Sequence, residues 1–163
     1  MIRNKARLVA QGYSQMEGVG HDETYAPVTH MESIRILLTL ACHLRFKLYQ
    51  TDVKTAFLNG LLKEDVYVAQ PKGFIDSHFS NHVLYLKKEL YGLKQAPRAW
   101  YDQFTQYLVS HGFTREKADQ TLFIKREDGE LIIAQAYVDD IIFGSTKDEL
   151  FKASQNSCRP SSR

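Results

Sequence analysis

From Phe46 to Val53 apolar and polar positions alternate with the period-two signature of a strand; Val66 to Gln70 and Val83 to Leu86 read as shorter strands. Leu131 to Val138 is a longer β-favouring run, and Ile141 to Phe143 returns from it after two adjacent aspartates. Thr121 to Lys125 forms a hairpin with that run across Glu127-Asp128-Gly129-Glu130. Lys5 to Ala10 also reads as a strand, with Lys5 and Arg7 on one face. Helical period appears twice. Ile34, Leu37, Leu38, Ala41 and Leu44 make one apolar stripe, ending near Arg45 and preceded by Thr29-His30-Met31-Glu32 with the spacing of a capping box. Trp100, Phe104, Tyr107 and Leu108 make the other, opened by Pro97 and stopped by Gly112. The pattern predicts an α+β fold, two longer helices over a largely antiparallel sheet.

Composition narrows this picture. At 163 residues and 44% hydrophobic, the chain fits one domain with a proper core. Its net charge of +2 does not advertise nucleic-acid binding, so any such contact must come from local patches. Cys42 and Cys158 lie far apart without zinc-type partners and read as reduced thiols. The amino terminus lacks the apolar core of a signal peptide, and no run approaches a membrane span, so an intracellular protein without a membrane partner is expected. Residues 152–163 are polar and aperiodic, a tail expected to be disordered beyond a domain covering 1–151.

The candidate chemistry lies in carboxylates. Asp139-Asp140 sits badly on a straight strand, but at a bend both side chains can project from one rim. Two adjacent carboxylates repel, and a hard divalent cation relieves that repulsion. The plainer alternative is a solvated turn. Asp52, near the end of the Phe46–Val53 strand and 87 residues before Asp139, is the second carboxylate strand that a metal site requires. Lys5 and Arg7 can hold phosphates or simply guard an edge strand.

Four segments in this order resemble the reverse transcriptase of copia-type long-terminal-repeat retrotransposons. They are Lys5-Ala6-Arg7-Leu8-Val9, Asp52-Val53-Lys54-Thr55-Ala56-Phe57, Leu90-Tyr91-Gly92-Leu93-Lys94-Gln95-Ala96-Pro97-Arg98-Ala99-Trp100, and Tyr137-Val138-Asp139-Asp140. The resemblance runs from about Lys5 to Leu150 and implies a palm-and-fingers fragment of a right-hand polymerase. It implies that Asp52, Asp139 and Asp140 hold two Mg2+ ions, with Mn2+ as the substitute. Tyr137 would then lie under the primer terminus, and Phe57 would meet the sugar 2′ position and reject ribonucleotides. Gln95 would line the nucleotide pocket, and Arg7, with Lys5 as the weaker candidate, would contact the triphosphate. The implied partners are an RNA or DNA template with its primer, and dNTPs. Lys87, Lys88, Lys94 and Arg98 could contact the backbone of that duplex, or form a solvated basic face.

The family's palm continues past the Asp-Asp hairpin with a lysine, a primer-gripping hairpin and a thumb, which this chain does not display. A C-terminally truncated copy is therefore expected, and its present activity is left open. The alternatives are an inactive remnant that at most binds nucleic acid or nucleotide, and a magnesium phosphohydrolase or nuclease using the same carboxylates.

Overall fold

The computed structural model describes residues 6–16, 18 and 24–147. Lys5, the segment after Lys147 and the tail with Cys158 lie outside the described residues. Helix α1 spans Met31–Leu44 and helix α2 spans Ala96–Ser110. Among the described residues the strands are β1 (Leu48–Asp52), β2 (Tyr67–Ala69), β3 (Val83–Tyr85), β4 (Thr114–Arg115), β5 (Leu122–Glu127), β6 (Glu130–Tyr137) and β7 (Asp140–Ser145); all but the two-residue β4 fall on runs read from the sequence. All strand pairs are antiparallel, in a five-stranded sheet of order β1-β7-β6-β5-β4 and a separate β2-β3 ribbon. No helix among the described residues is long and apolar enough to cross a membrane.

The chain divides into two units, one built from the first 26 residues with Thr55–Gln103, the other from Pro27–Lys54 with the residues from Phe104 onward. In the second, register partners share a sheet face. Phe123, Ala134, Phe143 and Tyr49 form one such row, and Ala136 with Ile141 another. That face carries the core: Phe123, Ile132, Ala134, Ile141 and Phe143 are buried. Phe104 of α2 meets Phe123 edge to face at 5.9 Å. The β5–β6 turn is the predicted Asp128-Gly129, with φ of 52° and 80°. Positive φ at both loop positions matches the twist of a two-residue hairpin, which is why Asp-Gly suits it.

In the first unit, Val66, Leu93 and Ala96 form a buried cluster, with Phe57, Leu62, Val68, Leu86 and Leu90 packed against it. A short 3-10 helix, Ala56–Asn59, presents Phe57 to that cluster.

Three expectations fail locally. Thr29 does not cap α1: His30 holds the N-cap position, and the Thr29 hydroxyl instead bonds Thr121 Oγ1 at 3.0 Å and the Ala136 carbonyl at 2.8 Å. Tertiary partners outcompeted the local helix end. Leu38 is 53% exposed and Leu44 43%, because α1 buries only Leu37 and Ala41 fully and half-buries Ile34 and Leu40. The stripe is narrower than the sequence suggests. The Lys5–Ala10 strand shrinks, among described residues, to a single parallel bridge between Val9 and Tyr91.

Candidate active site

At one end of the five-stranded sheet, β6 turns into β7 through Val138 and Asp139. Val138 has φ of 55°, a conformation that a β-branched residue adopts only under strain. The tight turn leaves Asp139 in the bend and Asp140 as the first residue of β7. Asp140 stands in register opposite Asp52 on β1 and opposite Tyr137 on β6. Tyr137, Asp140 and Asp52 therefore occupy one row across three strands, on the same face. The ladder runs one step further, where the Val53 N–H donates to the Asp139 carbonyl at 2.7 Å. Residues far apart in sequence are thus brought together by backbone pairing.

Two like charges directly opposite each other destabilise a sheet. Part of that cost is offset by Gln50, two residues before Asp52 on the same strand and face, whose Nε2 donates to Asp140 Oδ1 at 3.0 Å. Tyr137 is half exposed beside them, and Asp139 and Asp140 are half-buried. The donor set is oxygen only, the chemistry that Mg2+ prefers. Asp52 and Asp140 supply oxygen donors of the type such an ion takes, on facing register positions. Among the described residues, however, no three His, Cys, Asp or Glu side chains are close enough to hold a metal as a ready-made cage. A hard cation that takes one or two carboxylates and completes its shell with water and phosphate does not need one.

The other site candidates belong to the first unit. The Phe57 ring lies 5.0 Å from the Tyr91 ring, and the Arg7 guanidinium stacks over Tyr91 at 4.0 Å. Arg7 is thus ordered by a cation–π contact and keeps its N–H edge available for other acceptors. Gln95 is only 3% exposed; its Oε1 accepts from Gln15 Nε2 at 3.1 Å, while its own Nε2 has no partner among the described residues. Lys94 is likewise occupied, its Nζ donating to the Gln15 carbonyl at 2.9 Å. Arg98 pairs with Asp102 at 3.1 Å and donates to the Tyr25 carbonyl at 3.2 Å, so its charge is not free for a nucleic-acid backbone.

Two buried carboxyl groups were not singled out from sequence. Glu89 is 1% exposed and neither side-chain oxygen has a partner among the described residues. Burial, with Glu64 adding repulsion, pushes its pKa up to about 7. It lines a cavity of about 200 Å³ with Gln95, Lys63, Arg98 and Asp102. In the second unit, burial raises the Asp119 carboxyl, but hydrogen bonds from Ser33, Thr121 and Gln135 outweigh it and hold the group below its usual range. Thr121 donates to Oδ1 from its hydroxyl at 2.6 Å and its N–H at 2.9 Å, and Gln135 Nε2 donates to Oδ2 at 3.0 Å. An Asp or Glu in a mixed polar segment gives no periodic signal, so neither site is legible before the fold exists.

Comparison with known proteins identifies the family. The family model described as reverse transcriptase (RNA-dependent DNA polymerase) matches residues 1–157. The chain is 47% identical over 140 residues to the retrovirus-related Pol polyprotein from transposon RE1 of Arabidopsis thaliana, covering 86% of this chain and 10% of that one. It is 43% identical over 154 residues to the corresponding polyprotein from transposon TNT 1-94 of Nicotiana tabacum, covering 93% and 12%. With the Ty1-ER2 Gag-Pol polyprotein of Saccharomyces cerevisiae it shares 29% identity over 147 residues, 87% of this chain and 8% of that one. The chain thus spans about a tenth of the length of these relatives. No solved structure matches it. The chain belongs to the reverse transcriptase (RNA-dependent DNA polymerase) family, in the form found in copia-type retrotransposon Pol polyproteins.

Proposed function

We propose that this chain carries the catalytic part of an RNA- or DNA-templated DNA polymerase, which adds dNTPs to a primer 3′-hydroxyl. The observation that carries the reading is the row Tyr137–Asp140–Asp52 on one sheet face, with Asp139 in the adjoining turn. Asp52, Asp139 and Asp140 are the residues to hold two Mg2+ ions, or Mn2+ in their place. When bound, such ions lower the pKa of the attacking hydroxyl and neutralise charge on the leaving pyrophosphate. Gln50 orients the Asp140 carboxylate. Tyr137, exposed in the same row, offers a flat surface to the primer end. Phe57, anchored against Tyr91, presents an aromatic edge to the nucleotide sugar, where a 2′-hydroxyl would clash. Arg7 supplies charge to the triphosphate, and Gln95 a hydrogen bond to the nucleotide. Lys5 is assigned alongside Arg7 on the family resemblance alone. Positioning and charge stabilisation, rather than covalent chemistry, carry phosphoryl transfer. A hydrolytic role for the same carboxylates gives Phe57 and Gln95 nothing to do.

The test is primer extension on poly(rA)/oligo(dT) with Mg2+. The folded chain is expected to extend the primer, and Asp139→Asn to abolish extension while leaving the fold intact. Absence of extension by a folded chain that still binds dNTP would assign it instead as an inactive, binding-only remnant. Release of nucleotides from nucleic acid without added dNTP would favour a nuclease.

A further inference from the structure

The side-chain amide of Gln95 has two ends, and which one is left without a protein partner decides whether a ligand would meet a donor or an acceptor. The protein settles this through a polarity chain that starts at a backbone group. The Lys94 N–H can only donate, and it donates to Gln15 Oε1 at 3.0 Å. The oxygen end of Gln15 is thereby committed, so its Nε2 end turns to Gln95 and donates to Oε1 at 3.1 Å. Gln95 must then direct Nε2 elsewhere. That nitrogen is buried, has no partner among the described residues, and belongs to a residue lining the cavity of about 200 Å³. Amide orientation is normally inferred from such networks, and here the anchor cannot flip.

The loop bearing Gln15 is held in place independently. Ala10 N–H donates to the Tyr91 carbonyl at 2.7 Å, and Lys94 Nζ donates to the Gln15 carbonyl at 2.9 Å. A Cβ on Gly12 would run into the Gly92 carbonyl oxygen, so the two loops approach more closely than any side chain permits.

We propose that Gln15 is a positioning residue: it fixes the Gln95 amide so that an N–H donor, without a partner among the described residues, awaits an acceptor oxygen of the incoming nucleotide. This rests on the reading of Gln95 as a nucleotide-pocket residue. A buried donor without a partner costs free energy that a ligand oxygen recovers, which makes the orientation matter for affinity. An amide is required at Gln15, because the side chain must accept from Lys94 and donate to Gln95 at once.

Gln15→Glu separates this role from simple bracing. The new carboxylate still accepts from Lys94 but can no longer donate, so Gln95 turns over and gives Nε2 to it. The expected result for the full chain is an unchanged melting temperature with Mg2+-dATP affinity lowered about tenfold, the loss of one useful hydrogen bond. Gln95→Leu should weaken dATP comparably. In the double variant the two losses should not add, because the proposed effect of Gln15 on the nucleotide is exerted through the Gln95 amide. Additive losses would mean the new negative charge repels the triphosphate directly, and would overturn the proposal. So would unchanged affinity in Gln15→Glu when Gln95→Leu is weakened. Full affinity in Gln95→Leu itself would remove Gln95 from the nucleotide site, and the positioning role with it.

Discussion

Replacing Glu89 with glutamine keeps the side chain's shape and removes its ability to ionise. In the folded chain burial, with repulsion from Glu64 added, pushes this carboxyl up to about 7 against 4.5 for the ordinary group, and its oxygens have no hydrogen-bond partner among the described residues. A folded-state pKa above the unfolded value means that the folded chain binds the proton more tightly. The associated stability is fully present below pH 4.5 and is lost as pH rises through about 7. A rise from 4.5 to about 7 corresponds to roughly 3 kcal/mol at 1.36 kcal/mol per pKa unit, an upper figure because water entering the cavity beside Glu89 would solvate the charge. For a chain of this size that is a melting shift of about 5–10 °C between acid and mildly alkaline conditions. Thermal unfolding followed by circular dichroism from pH 5 to 8.5, for wild type and Glu89→Gln, isolates the contribution by difference, since every other titrating group is shared. The two curves should approach each other at pH 5, and the variant should be the more stable at pH 8.5. Parallel curves across the range would refute the reasoning, because they would mean Glu89 is solvated in the folded state and titrates normally.

Other perturbations follow from single geometric facts. Val138→Gly should leave stability equal or raise it by up to about 1 kcal/mol in urea unfolding, since backbone strain at positive φ is relieved against a glycine entropy cost; a loss above that would show the turn is unstrained. Gly12→Ala should cost about 1–3 kcal/mol, because its Cβ meets the Gly92 backbone rather than a movable side chain; unchanged urea unfolding would show that the loops part freely. Asp119→Asn should cost about 1–3 kcal/mol near neutral pH, as its amide sets a donor against Gln135 Nε2 or the Thr121 N–H. The lowered pKa of Asp119 makes its contribution present above pH 3.8 and lost as pH falls through the folded value, so the gap between wild type and variant should close in acid and not in base.

Much of this molecule is written in local pattern. Period-two and helical runs located α1, α2 and the β5–β6–β7 meander, and Asp128-Gly129 specified its turn, because those signals depend on neighbours within a few residues. Motif order pointed to the family and to Asp52, Asp139 and Asp140 before any pairing was visible. What pattern could not supply was partnership across distance. The Asp52–Asp140 register, the Gln50 hydrogen bond and the donor–acceptor chain from Lys94 through Gln15 to Gln95 join residues up to 90 positions apart. Thr29 makes the same point in reverse, with capping spacing in sequence but hydroxyl bonds to Thr121 and Ala136 in the fold. Sequence alone located most of the elements and pointed to the family. Tertiary structure alone decided which carboxylates face one another and which, like Glu89, are buried without a partner among the described residues, because burial and hydrogen bonding are properties of surroundings that exist only once the chain has folded.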